Sequence, residues 1–179
     1  SSNLPIYYKA VLEFPRVDYA ESGTSNGFHV NKSIRNIDGS QDIKVGDLVK
    51  VTIDIEKDKT GQSRHYRYIV IDDPLPAGLV AINSSIKTEE IVPENDEDSY
   101  TEDGARVLVP SFQEIRDDRV LIFRDSNIWD GKYQYSYYAR ATTEGQFVLP
   151  STKAQLMYSP QVMGLTPKSI VNIKASQIR

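Results

Sequence analysis

Val49, Val51, Ile53 and Ile55 alternate with Lys50, Thr52, Asp54 and Glu56. A period of two marks a strand with one face in a core and the other in water. Tyr133, Tyr135, Tyr137, Ala139 and Ala141 alternate in the same way with Gln134, Ser136, Tyr138, Arg140 and Thr142. That stretch predicts a strand of about ten residues with aromatics facing inward. Shorter strands are expected at Tyr66–Ile71, Ala105–Val109, Arg119–Phe123, Gln146–Leu149 and Ser169–Lys174, and also at Ile6–Phe14 and Gly27–Ile34. Asp38-Gly39, Gly46-Asp47, Thr60-Gly61, Asp103-Gly104, Asp130-Gly131 and Glu144-Gly145 punctuate them as turns. Many short strands at such spacing imply an all-β antiparallel sandwich or barrel. Helix is expected only as one or two turns, at Asn83–Ile91 behind a Ser84 or Ser85 cap, and near Thr152–Leu156.

The 179 residues suffice for a single domain over residues 1–179, and no linker or internal repeat divides them. Hydrophobic residues make up 39% and mean hydropathy is −0.45, with no run long enough to cross a bilayer. No basic-then-apolar leader opens the chain, so no signal peptide is expected in this segment, and Ser1-Ser2-Asn3 reads as an edge cut from a longer protein. A net charge of −4 with scattered Lys and Arg argues against nucleic acid, which needs clustered cations. Cysteine is absent, which excludes disulfides, thiolate nucleophiles and any thioester formed by this segment.

Candidate chemistry is sparse, and no cofactor is expected. Pro93–Asp103 (PENDEDSYTED) is an acidic segment read as a solvated surface loop. Asp96 and Asp98 share the spacing of a calcium loop, but the glycine and the closing glutamate of that motif are missing, so no metal is assigned. His29 and His65 lie near no nucleophile motif and have no ligand spacing, so no catalytic residue is assigned. In Arg116-Asp117-Asp118-Arg119, strand alternation would put Arg116 and Asp118 on one face and Asp117 and Arg119 on the other. That suits cross-strand ion pairs, for instance with Arg140. Asp72-Asp73-Pro74-Leu75-Pro76-Ala77-Gly78-Leu79 reads as a rigid strand exit, because proline removes a ladder donor. Met157-Tyr158, just before Pro160, is open to two readings: core filler, or a cap presented to a neighbour.

In combination, "NGFHVNKSIRNIDG", "IKVGDLVKVTIDI", "IVIDDPLPAGLVAIN", "FQEIRDDRVLIF" and "YQYSYYARATTEGQFVLPSTKAQLMYSP" resemble the C-terminal macroglobulin-like domain of bacterial α2-macroglobulins, from about Asn26 to Pro160. The resemblance implies a macroglobulin or fibronectin type III-like sandwich without enzymatic activity. It implies a parent that traps proteases in the periplasm or cell envelope, in some members as a lipoprotein anchored at a distant N-terminus. Where the parent carries a Cys–Gln thioester, that bond lies in a separate thioester domain. The resemblance implies that this domain packs against the thioester domain and that the Met and Tyr of a Met-Tyr-x-Pro motif shield the bond. Those positions are Met157, Tyr158 and Pro160 here. Partners are then other domains of the same parent and, through it, proteases.

Two other readings compete. "DDPLPAGL" alone fits a stalk or adhesin-type repeat of a bacterial surface protein. Trp129 with exposed tyrosines would fit the sugar platform of a carbohydrate-binding or hydrolytic sandwich.

Overall fold

The computed structural model describes residues 22–58, 66–82 and 99–176, and, the helical residue Ser22 aside, every element of regular structure among them is a strand. The first half contains β1 (Thr24–Asn26), β2 (Phe28–Asn36), β3 (Ile43–Lys44), β4 (Leu48–Lys57), β5 (Ile69–Pro74), β6 (Leu79–Ala81) and β7 (Arg106–Val107). The second contains β8 (Phe112–Ile115), β9 (Arg119–Arg124), β10 (Lys132–Ala141), β11 (Gly145–Leu149), β12 (Lys153–Leu156), β13 (Ser159–Leu165) and β14 (Ser169–Lys174). One sheet runs β1-β13-β12-β5-β9-β8. A second runs β2-β4-β10-β6 with β7 beside β10, and a small third runs β11-β14-β3. Apart from the short β10–β7 and β14–β3 contacts, the strand pairs are antiparallel.

The two long alternating stretches are neighbours. Tyr133, Tyr135, Tyr137 and Ala139 of β10 stand opposite Ile55, Ile53, Val51 and Val49 of β4. All eight side chains are buried, and they meet Ile69 and Ile71 of β5, Val120 and Ile122 of β9 and Ala154 of β12 in one core. Each buried Ile or Val contributes roughly 1.5–3 kcal/mol, so this interleaved layer is the main force holding the sandwich. The expected all-β sandwich is the observed architecture.

Three expectations need correction. Thr152–Leu156 is not helical: it leads into β12, which pairs with β5 and β13. Ala154 and Leu156 point into the core there, and a two-residue period outweighs the good helix formers in that stretch. β13 was not expected, because Pro160 and Gly164 interrupt its pattern. Arg116–Asp118 does not continue a strand either, although Arg119 opens β9. That segment is the turn joining β8 to β9, closed by the Arg116 N–H donating to the Arg119 carbonyl at 2.9 Å. The strand at Ile6–Phe14, the whole of the helix at Asn83–Ile91, His65 and the 93–98 part of the acidic segment lie outside the described residues.

Candidate functional site

Met157 and Tyr158 are the two turn residues of the β12–β13 hairpin, flanked by the Leu156–Ser159 pair. Two-residue hairpin turns normally use Gly or Asn with positive φ. Neither Met157 nor Tyr158 has a positive φ, and the ladder beside the turn is irregular. The register slips between Gln155 and Leu156, so that Pro160, Gln161 and Val162 have no partner on β12. Pro160 suits such a bulge because it has no N–H to leave unpaired. The bulge is anchored elsewhere: Asn26 Nδ2 donates to the Gln161 carbonyl at 2.6 Å.

The turn therefore projects from the sheet with few ties. Met157 is 46% and Tyr158 79% exposed, so the core-filler reading does not hold. One neighbour holds the pair. The Met157 N–H donates to the Tyr68 carbonyl at 2.8 Å. The Tyr158 ring meets the Tyr68 ring edge-to-face, with centroids 5.2 Å apart and planes at 83°. Behind Tyr68, the Arg67 guanidinium lies 5.1 Å from the ring centre while its Nε donates to the Asp125 carbonyl at 3.3 Å. The result is an exposed cluster of a thioether and two phenol rings, with its cation set behind the rings.

The second concentration of chemistry is buried. Asp73, on the inward row of β5, is fully buried. Its carboxylate accepts from Lys32 Nζ, Tyr137 Oη and Thr152 Oγ1, each at 2.6 Å. Lys32 also donates to the Pro74 carbonyl at 3.0 Å. Burial pushes the Lys32 ammonium below its ordinary value, with the Asp73 charge opposing. Burial, and then the Asp73 charge, pushes the Tyr137 phenol far up and the Tyr135 phenol up to about 12. A group so enclosed reaches no substrate. It ties β2 and β10 of one sheet to β5 of the other. The signal in the sequence was a charge in an apolar register: Lys32 in the row Phe28-Val30-Lys32-Ile34, and Asp73 in the row Ile69-Ile71-Asp73.

The expected ion pairs rearrange. Arg119 reaches Asp118 at 3.1 Å and Asp72 at 3.2 Å, and Arg116 pairs with Glu114 at 2.8 Å. Asp117 forms no ion pair among the described residues. Arg140 joins none of these pairs and donates to the Gly46 carbonyl at 3.0 Å. The arginine turn instead supports the proline-rich strand exit, where the Leu75 N–H donates to the Asp118 carbonyl at 2.8 Å. Trp129 is exposed, and its backbone N–H is held by the Tyr133 hydroxyl. Among the described residues no cluster of three or more His, Asp or Glu is arranged for a metal.

Residues 27–161 match the family model described as "Bacterial Alpha-2-macroglobulin MG10 domain". The chain belongs to that family. An α2-macroglobulin homolog from a Nostoc species is 26% identical over 180 residues, covering 93% of this chain and 9% of its own length. The structure of Escherichia coli α2-macroglobulin activated by porcine elastase superposes with a TM-score of 0.67 at 22% identity, covering 88% of this chain and 14% of that one. That of Salmonella α2-macroglobulin reacted with methylamine gives 0.65 at 23%, covering 88% and 10%. These structures establish the likeness in fold. This MG10 domain thus spans about a tenth of the relatives it matches. The family assignment replaces the stalk-repeat alternative. The β5–β9 register brings "DDPLPAGL" and "RDDR" together as two halves of one joint, Pro74 standing opposite Arg119.

Proposed function

We propose that this MG10 domain is a non-enzymatic module that covers a thioester in another domain of its parent, with Met157 and Tyr158 as the cover. The parent is then an endopeptidase inhibitor that traps proteases outside the cytoplasm, in the periplasm or cell envelope. The domain extends over residues 1–179, with the acidic segment 93–103 as a surface loop. The observation that carries this reading is the projection of an apolar pair from a tight hairpin tip into solvent. Isolated exposed apolar side chains are ordinary, but a thioether and a phenol at the tip of a rigid hairpin form a shaped apolar plug. A thioester is attacked by water and amines, so it persists only where both are kept out. The thioether needs no hydrogen bond, and the phenol can leave its hydroxyl at the rim while its ring excludes solvent. Burying the pair against a partner contributes roughly 2–5 kcal/mol. The similarity to a Salmonella protein that was reacted with methylamine, and to an E. coli protein activated by elastase, supports the same reading.

The test is thiol release from the full parent protein in methylamine. Met157→Ala with Tyr158→Ala is expected to speed release about tenfold or more, the equivalent of losing about 1.4 kcal/mol of cover. Equal rates, or no thiol released by the unaltered parent, would overturn the shielding role.

A further inference from the structure

Tyr68 is the only non-glycine residue with positive φ among those described, at +56°. A bulky side chain is a rare occupant of this left-handed region, which glycine and asparagine fill without penalty, and such an outlier points to a local task. Three contacts converge on it. Its carbonyl takes the Met157 N–H, its ring stands against Tyr158, and Arg67 covers the ring. Its hydroxyl makes no hydrogen bond among the described residues, so the ring and the carbonyl carry the role. Tyr68 also sits just ahead of Ile69, which is wholly buried in β5 and pairs with Leu156, the residue before the turn. The left-handed kink therefore lies at the junction between a fixed core strand and a projecting tip.

We propose that Tyr68 is the positioning residue of the cover: it fixes the direction in which Met157 and Tyr158 are presented and does not itself touch the shielded bond. This rests on the shielding role proposed above. The physical basis is preorganisation. Tyr158 is largely free of its own core, so without a wall its ring samples several rotamers, and docking must restrict them. The edge-to-face ring contact and the Met157 hydrogen bond make that selection in advance.

The experiment uses the full parent protein and follows methylamine-driven thiol release together with thermal unfolding. Tyr68→Ala is expected to speed release about three- to tenfold, the range that corresponds to one aromatic pair. Tyr68→Phe keeps the ring and is expected to release at the parent's rate. Tyr68→Gly separates positioning from stability: glycine suits the positive φ, so melting is expected to hold or rise while release still accelerates. Combined with Met157→Ala and Tyr158→Ala, Tyr68→Ala is expected to add nothing, because the side chains it positions are gone. If the doublet variant is faster but Tyr68→Ala and Tyr68→Gly match the parent, the positioning role is wrong. It is equally wrong if the effects multiply in the triple variant. If the doublet variant itself is no faster, the shielding role fails, and the role of Tyr68 falls with it.

Discussion

Asp73 shows how one residue carries a large share of the sandwich's specificity. Its carboxylate gathers a lysine, a phenol and a threonine hydroxyl from three segments, in a place with no access to water. Truncating one partner of a buried ion pair leaves the other as an uncompensated charge, which costs about 3–5 kcal/mol. Asp73→Ala is therefore expected to lower unfolding free energy by about that amount. Thr152→Val, which removes one of three donors, is expected to cost about 1.5–3 kcal/mol. Urea unfolding midpoints check both, and a Thr152→Val loss equal to that of Asp73→Ala would contradict a charge-centred cluster. The tyrosines around the carboxylate add a pH dependence. Burial raises the Tyr135 phenol to about 12 and holds the Tyr137 phenol higher still. As pH climbs past about 10 the unfolded chain gives up these protons first, so the folded state holds more protons and stability falls. The contribution is complete below about pH 10 and is lost, for Tyr135, as pH rises towards about 12. Tyr135→Phe is expected to flatten part of that decline in unfolding midpoints between pH 9 and 11.5, while losing the 2.6 Å bond to Gln113 at all pH values.

The hairpin that carries Met157 and Tyr158 has to be seated before it can present anything, and Gly164 on β13 is where it is seated. A Cβ there would lie 2.3 Å from the Phe28 carbonyl oxygen and 2.8 Å from Val30 Cγ2, so β13 and β2 touch at van der Waals distance. Backbone cannot swing away as a side-chain tip can. Gly164→Ala is therefore expected to cost about 1–3 kcal/mol, read as a lowered thermal midpoint. An unchanged midpoint would mean that the two sheets can separate at this corner. The same element explains what could and could not be read in advance. The strands at Val49–Ile55 and Tyr133–Ala141 were legible because their inward rows are almost uninterrupted. β13 was not, since its proline serves a bulge and its glycine a close approach, and both look like punctuation in a linear pattern. "RDDR" has charged residues at every position, so alternation has nothing to detect, and a two-residue turn looks the same as a strand. The doublet at Met157-Tyr158 was legible as a cap only through resemblance, and its exposure is a fact of three dimensions. Tyr68 was out of reach, because the sign of φ at a tyrosine leaves no trace in composition or spacing.

At the scale of the whole molecule, the shielding role proposed above raises the question of how such a cover would be withdrawn were a protease to act on the parent. Two routes differ physically: the hairpin could refold, or the domain could leave as a rigid unit. The described contacts favour the second. The turn is tied to Tyr68, Tyr68 adjoins the core strand β5, and β5 is bound to the opposite sheet through Asp73. Refolding the tip would break these bonds, whereas moving the domain exposes the tip with all of them intact. The expected outcome is that hydroxyl-radical footprinting of the parent, before and after protease cleavage, shows increased modification at Met157 and Tyr158. Tyr66, 1% exposed within the core, should stay unmodified in both states. Amide exchange at Met157, whose N–H is held by the Tyr68 carbonyl, should slow to the same extent before and after cleavage. Faster exchange at Met157 after cleavage would instead place the switch inside the hairpin. The cover would then be a loop that melts, and the Asp73 cluster would have no part in transmitting the change.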